Sequence, residues 1–297
     1  MDKVLLIDGH NAIWRANVSF GPPQAHKVKE DDPNQCECGS PWDAEGVFCY
    51  GQRYSVVFNF FRNLRPLIEE FGPEKCFFVL EGHPQFRYDL YSDYKANRLI
   101  KKASRAEAQD KMMEAKEVIL FLMPHLPITV VRAAHYEADD VVATLCENLK
   151  SEDLTVISSD TDYIQLLQRN YAQVQIYNPI KKIYMEAPGY PYVAWKCLNG
   201  DKSDNIPGIL KPKSALTTIT DPVLFKKFLE VEENRANFNI NRQLIEFHPV
   251  PAEEIIWQEG QRNFQFLHDA FKQMKFETII KTGTWDRYVK TFDCLKY

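Results

Sequence analysis

Short apolar runs that end on an acidic residue recur along the first half of this chain. Val4-Leu5-Leu6-Ile7 leads to Asp8, and Cys76-Phe77-Phe78-Val79-Leu80 leads to Glu81. Ile128-Thr129-Val130-Val131 precedes Glu137, and Leu154-Thr155-Val156-Ile157 passes through Ser158-Ser159 to Asp160 and Asp162. Continuous rather than alternating, these runs read as strands buried on both faces, as in a parallel sheet. Between them the apolar period becomes helical. Val47, Tyr50, Tyr54, Val57, Phe58, Phe61, Leu64 and Ile68 predict an amphipathic helix over Glu45 to Phe71, closed by Gly72-Pro73. A second long helix is predicted from Ala106 to Met123, stopping at Pro124. Past Asp162 the pattern gives a helical turn over Tyr163–Leu167 and short strands at Val174–Tyr177 and Lys182–Tyr184. From Asp221 onward it is predominantly helical, Ile255-Ile256 included. Strands alternating with helices predict an α/β fold with a mainly parallel central sheet.

Composition narrows the class without choosing a function. The chain has 297 residues, is 45% hydrophobic and carries a formal net charge of -5, so polyanion binding has to come from local patches. No apolar run approaches membrane-span length and the first ten residues read as a strand, so a soluble, intracellular protein is expected. The seven cysteines are an odd number, and Cys76, Cys146 and Cys197 fall inside apolar segments, as reduced buried thiols do. Residues from about Gly21 to Ala44 form a Pro- and acid-rich insertion with Cys36-Glu37-Cys38. A zinc clip of Cys36, Cys38, Cys49 and His26 is one reading, but the one-residue gap departs from the usual spacing. A solvated loop is the better one.

The candidate chemistry is carboxylate. Glu137-Ala138-Asp139-Asp140 places three acids in four residues just ahead of the helical pattern Val141, Val142, Leu145, Cys146, Leu149. Acidic first turns also serve simply as caps. For all three side chains to converge, Tyr136-Glu137 should be pre-helical and the helix should begin near Asp139. Strands of a parallel sheet deliver their last residues to one edge, so Asp8, Glu81, Asp160 and Asp162 form, with this cluster, a pit of negative charge that calls for divalent cations. Asp201 and Asp204, in Gly200-Asp201-Lys202-Ser203-Asp204-Asn205-Ile206-Pro207-Gly208, have the three-residue spacing that lets both face one ion. Basic residues Arg87, Lys95, Arg98, Lys101, Lys102 and Arg105 are interleaved with Phe86, Tyr88, Tyr91 and Tyr94, the mixture that a single-stranded nucleic acid path requires. Lys211 and Lys213 stand at a predicted helix start, suited to a duplex phosphate.

Asp8-Gly9 with Asn11, Tyr94-Lys95-Ala96-Asn97-Arg98, Glu137-Ala138-Asp139-Asp140, Ser158-Ser159-Asp160-Thr161-Asp162 and Gly200 to Gly208, in this order, resemble the 5′-nuclease family: flap endonucleases, bacterial and phage 5′→3′ exonucleases and phage ribonuclease H enzymes. The similarity runs over roughly Met1 to Ala215. It implies a PIN-like core over residues 1–198 with a helical arch at about 84–123. A helix-three-turn-helix element and a helical C-terminal region would fill 199–297. It implies two Mg²⁺ sites, with Mn²⁺ as a substitute: Asp8, Glu137, Asp139 and Asp160 at one, Asp162, Asp201 and Asp204 at the other, with Glu81 and Asp140 as further acidic positions. Asp8, Asp160, Lys95 and Arg98 become the catalytic candidates, Lys95 and Arg98 at the scissile phosphate, and Tyr94 a base-stacking position. DNA with 5′ flaps, nicks or single-stranded 5′ ends and RNA–DNA hybrids are the implied partners, with polymerase or single-strand-binding proteins beside them. A monomer in the cytoplasm of a bacterium or phage host is expected.

Two departures stand out. Glu81 occupies a position where the family usually has aspartate, and the glycine-rich hairpin after Pro207-Gly208 is shortened to Ile209–Ala215 without its paired glycines. A K⁺ site of loop carbonyls therefore loses its usual frame, and the duplex grip is expected to be altered. A single-strand ribonuclease of PIN type and a non-catalytic DNA-junction binder are the alternatives. Duplex-gripping features speak against the first and nine retained acids against the second.

Overall fold

The computed structural model describes residues 1–18, 28–36, 49–98, 106–169 and 173–296. Most of its described strands make a mixed, mostly parallel central sheet with many helices, and a two-stranded hairpin stands apart from it; the chain divides into two compact units, each assembled from separate stretches of sequence. No helix among the described residues is long and apolar enough to cross a membrane.

The first unit comprises Met1–Val79, Glu107–Val131 and Trp257–Tyr297. Strand β1 (Lys3–Asp8) is buried at every position after the first, as its unbroken apolar run predicts. The hairpin strands β2 (Val28–Lys29) and β3 (Asp32–Cys36) follow helix α1 (Gly9–Val18) and pair antiparallel. The insertion is thus more ordered than the solvated loop expected, and it buries Cys36. His26, Cys38 and residues 45–48 lie outside the described residues. The amphipathic helix expected from Glu45 is interrupted at Tyr54, giving α2 (Tyr50–Arg53) and α3 (Ser55–Phe71). Strand β4 (Lys75–Leu80) runs parallel to β1, with Asp8 opposite Val79.

Helix α3 supplies one side of an aromatic core. Phe60 and Phe61 meet edge-on at 5.2 Å, and Phe61 reaches Phe271 at 5.2 Å. Phe271 lies on α12 (Phe264–Gln273), which α13 (Glu277–Ile280) and α14 (Thr284–Asp293) follow. Tyr288 on α14 is buried, and its hydroxyl donates to the Phe61 carbonyl at 3.4 Å. These large rings remove most of their apolar surface from water, which explains why the last helices fold back here.

The second unit comprises Leu80–Ala106 and Arg132–Ile256. It holds α4 (Gln85–Leu90), α6 (Ala138–Asn148), β6 (Asp153–Ile157), α7 (Ile164–Leu167), β7 (Val174–Asn178) and β8 (Ile183–Tyr184). Helices α8 (Tyr192–Asn199), α9 (Pro212–Thr220), α10 (Pro222–Glu230) and α11 (Glu232–Ile245) complete it. Strand β7 lies parallel to β6 and antiparallel to β8. Helix α5 (Ala106–Leu122) and strands β5 (Thr129–Ala133) and β9 (Ile255–Gln258) lie where the chain passes between units. Ile255-Ile256, expected in a helix, is extended in β9: paired β-branched residues favour the pleated conformation once a sheet edge is available.

A separate core of Tyr94, Cys197, Leu198, Ile206, Ala215, Phe238 and Leu244 positions the functional segments of this unit. Asn241 on α11 is buried there and donates to the carbonyls of Cys197 (2.8 Å) and Pro207 (2.9 Å), clamping both ends of the Gly200–Gly208 turn.

Candidate metal centre

Helix α6 begins as its sequence predicts. Glu137 is the extended residue before it, and the backbone N–H of Glu137 donates to Asp140 Oδ2 at 3.2 Å. Asp139 accepts the N–H of Asp140 at 2.8 Å. Glu137, Asp139 and Asp140 bring one oxygen each within 4.8 Å of one another, and so do Asp162, Asp201 and Asp204. Six of the nine expected acidic residues therefore fall into two triads, all within the second unit.

The second triad depends on the turn after α8. Asp201 and Ile206 exchange backbone hydrogen bonds of 2.9 and 2.8 Å, closing a tight loop whose Asn205 lies in the left-handed region at φ 61°. Both flanking glycines are sterically required. A Cβ on Gly200 would sit 2.4 Å from Gly208 N, and one on Gly208 would sit 2.3 Å from the Asn199 carbonyl oxygen. Ser203 donates its N–H and hydroxyl to Asp201 Oδ1 at 2.7 and 2.6 Å, fixing that carboxylate's direction. Asp162 comes from the 3₁₀ turn Thr161–Tyr163 after β6, which Asp160 caps by accepting the Asp162 N–H at 2.9 Å.

The two triads share neighbours. The buried Tyr94 hydroxyl donates to Glu137 Oε2 at 2.9 Å and to Asp204 Oδ2 at 3.3 Å. Lys95 Nζ contacts Glu137 closely and lies 3.5 Å from Asp204, while Arg98 pairs closely with the other Asp204 oxygen. The segment carrying these cations is stapled to the acidic turn by backbone and amide hydrogen bonds. Lys95 N–H donates to the Asp204 carbonyl at 2.8 Å, Asn97 to Lys202 at 2.7 Å and Asn205 to Asp93 at 2.8 Å.

Burial and neighbouring charge shift the ionisable groups of this region. Burial, then Glu137 and Asp140, hold the Asp139 carboxyl well above the usual aspartate range. Burial pushes Asp162 up to about 6, against the pull of Lys196. Burial disfavours the ammonium of Lys95, yet Glu137 and Asp204 outweigh it and keep that group above its ordinary value. Carboxylates crowded out of water in this way are stabilised by added positive charge, and an all-oxygen donor set suits hard divalent ions such as Mg²⁺ or Mn²⁺.

The remaining expected residues are placed as follows. Asp8 ends β1 in the first unit, is buried, and accepts the Asn11 N–H at 3.0 Å. Glu81 is exposed after β4, and neither it nor Asp160 belongs to a triad. Lys211 and Lys213 are exposed at the start of α9, as a phosphate contact needs. Lys101, Lys102 and Arg105 lie outside the described residues.

Three assignments are corrected. Arg87, expected on the nucleic acid path, is 1% exposed and grips Asp140 through two hydrogen bonds of 2.6 and 2.8 Å. Tyr94, expected to stack on a base, is 2% exposed and its hydroxyl faces the carboxylates. Asp140, expected as a metal ligand, has both oxygens occupied. Oδ2 accepts from Arg87 and Glu137, and Oδ1 accepts from Arg87 and from the His248 N–H at 2.8 Å. It anchors the start of α6 rather than offering a lone pair to an ion.

One residue that the sequence reading passed over belongs to the site. Lys196, side chain 9% exposed, contacts Asp162 closely and lies 2.6 Å from Asp201 Oδ2. Its signal was a single lysine in the apolar helical stretch Trp195-Lys196-Cys197-Leu198, which turns one long cation inward.

A family model described as the N-terminal resolvase-like domain of 5′-3′ exonuclease matches residues 3–190. DNA polymerase I of Streptococcus pneumoniae (strain ATCC BAA-255 / R6) is 31% identical over 224 residues, covering 70% of this chain and 22% of that protein. The chain thus spans under a quarter of the length of that polymerase. A 5′-3′ exonuclease of Bacillus subtilis (strain 168) is 29% identical over 275 residues, 83% of each chain. Among solved structures, bacteriophage T5 5′-exonuclease with bound zinc superposes with a TM-score of 0.59 at 16% identity over 98% of each chain. The catalytic core of Rad2 in complex with DNA substrate gives 0.55 at 15% identity, over 98% of this chain and 93% of that one. These structural likenesses establish a shared PIN-type, resolvase-like fold.

Proposed function

This chain belongs to the 5′-3′ exonuclease family through its N-terminal resolvase-like domain, and on that premise we propose that it is a metal-dependent, structure-specific 5′ nuclease. Its substrates on this reading are DNA with 5′ flaps, nicks or single-stranded 5′ ends, and RNA–DNA hybrids at primer ends. It would act as a monomer during replication, beside a polymerase, in the cytoplasm of a bacterium or phage host. The observation that carries the reading is the Asp162–Asp201–Asp204 triad set beside the Glu137–Asp139 pair, the two bridged by Tyr94 and Lys95.

Glu137 and Asp139 would hold one Mg²⁺, and Asp162, Asp201 and Asp204 the other. The sequence resemblance adds Asp8 and Asp160 to the first. Such a pair of ions, when bound, activates water and stabilises the leaving 3′ oxygen of an in-line displacement. The chain's own cations serve the phosphate. Lys95 and Arg98 are aimed at the carboxylates that would hold metal, so a phosphodiester entering there meets their positive charge where negative charge develops. Lys211 and Lys213, exposed at the start of α9, would take duplex phosphates.

A 5′-flap duplex should be cleaved to a 5′-phosphate and a 3′-hydroxyl with Mg²⁺ or Mn²⁺. Cleavage should stop on chelation with EDTA and return when the ion is restored. Cleavage that proceeds undiminished in EDTA would sink the metal reading, and binding of the flap with no turnover in either ion would leave a junction binder. Lys95→Ala is expected to lower single-turnover cleavage by roughly a hundred- to a thousandfold, with flap affinity within a few-fold of the parent. A drop in affinity that accounts for the whole loss would reassign Lys95 to binding alone.

A further inference from the structure

Lys196 has no place in the reaction just described, yet it is the cation nearest to two of the three carboxylates in the Asp162–Asp201–Asp204 triad. Its ammonium contacts Asp162 closely and stands 2.6 Å from Asp201 Oδ2, so it pairs with two of the three carboxylates that an ion in that triad would need. Asp204, the third member, is engaged instead by Arg98, Tyr94 and Lys95. The lysine is carried by α8, whose last turn is fixed by Gly200 N–H donating to the Lys196 carbonyl at 2.8 Å and by the Asn241 clamp on the neighbouring Cys197 carbonyl. The backbone therefore cannot retreat, and only the side chain can swing.

Two positive groups drawn to the same pair of carboxylates repel each other and compete for the same space, and burial keeps water from screening them. We propose that Lys196 is a resident counter-ion of the Asp162–Asp201 pair, which a divalent ion must displace. It thereby holds the affinity of this triad below that of three uncompensated carboxylates. The position beside Lys196 then fills only after the lysine leaves, so removing this one cation should change that position and not the other. This inference rests on the reading of the triad as a metal site.

The test is Mn²⁺ binding to the full chain, followed by calorimetry and by the electron paramagnetic resonance of the ion, for the parent, Lys196→Met and Lys196→Arg. Two classes of site are expected in the parent. In Lys196→Met the weaker class should tighten by roughly ten- to a hundredfold, the usual size of a coupling between competing occupants. The stronger class should be unchanged, and Lys196→Arg, which keeps the charge, should resemble the parent. Unchanged affinities in Lys196→Met would overturn the inference while leaving the metal reading intact. Absence of Mn²⁺ binding in every protein would overturn both.

If Lys196→Met melts too low for titration without metal, the same competition is read from melting temperatures. Mn²⁺ should raise that of the variant by more than it raises the parent's, because at one ligand concentration the stabilisation grows with the logarithm of the affinity. An equal rise in the two proteins would overturn the inference.

Discussion

Asp162→Asn is expected to slow single-turnover flap cleavage by roughly a hundred- to a thousandfold, the scale on which one group directed at developing charge acts, without weakening the metal-free fold. The first half follows from the triad: an amide offers a neutral oxygen in place of an anionic one, and Asp162 supplies one of three carboxylate oxygens gathered within 4.8 Å, the set proposed to hold an ion. The second half follows from the direction of its acid shift. Burial, with Asp160 and Asp201 nearby, lifts Asp162 from 3.8 to about 6, although Lys196 pulls the other way. A carboxyl that is harder to ionise in the fold than in the unfolded chain costs stability as pH rises from 3.8 through about 6. Asparagine removes that loss. Melting in EDTA at neutral pH should therefore be equal to or above that of the parent. Turnover within a few-fold of the parent would count against the triad as a metal site.

Arg87→Met should give the opposite signature, a fold weakened by about 3–5 kcal/mol, the usual result of removing one partner from a buried ion pair. Arg87 carries two hydrogen bonds to Asp140, lies 3.3 Å from Glu137, and donates to the Leu244 carbonyl at 3.2 Å, thereby tying α4 to α6 and to the end of α11. Methionine fills much of the space but leaves the Asp140 charge buried without its counter-charge. Adding Asp140→Leu to Arg87→Met should recover about half of the loss, since two apolar groups replace a pair rather than orphan one member. Chemical denaturation of the three variants measures this. A double variant less stable than Arg87→Met would show that Asp140's hydrogen bonds to the Glu137 and His248 backbones outweigh its pairing with Arg87.

The elements that were legible in sequence are those whose residues specify them locally. The unbroken apolar run of β1 and the tandem acids in the first turn of α6 could be read directly, because burial on both faces and a helix start each leave a mark within a few residues. The Gly200–Gly208 turn was legible for the same reason, its glycines being demanded by backbone approach. What failed was direction. Arg87 looks no different in sequence from the exposed Arg98, nor Tyr94 from a ring free to stack on a base, and only packing against α11 and the triads turns them inward. The extended Ile255–Gln258 and the hairpin over 28–36 depend on partners that local pattern does not name.

Lys95 sits at φ 57°, in a region that a side-chain-bearing residue enters at a penalty of about 1–2 kcal/mol. The backbone there is set by the staple to Asp204, not by the lysine's own preference. Drift at this position is consequently filtered twice, once by geometry and once by chemistry. Glycine and asparagine pass the first filter but bring no ammonium, and valine or isoleucine fails before chemistry is consulted. The narrowness of that repertoire makes position 95 a good place to read, across related chains, whether a lineage has kept its reaction or only its shape.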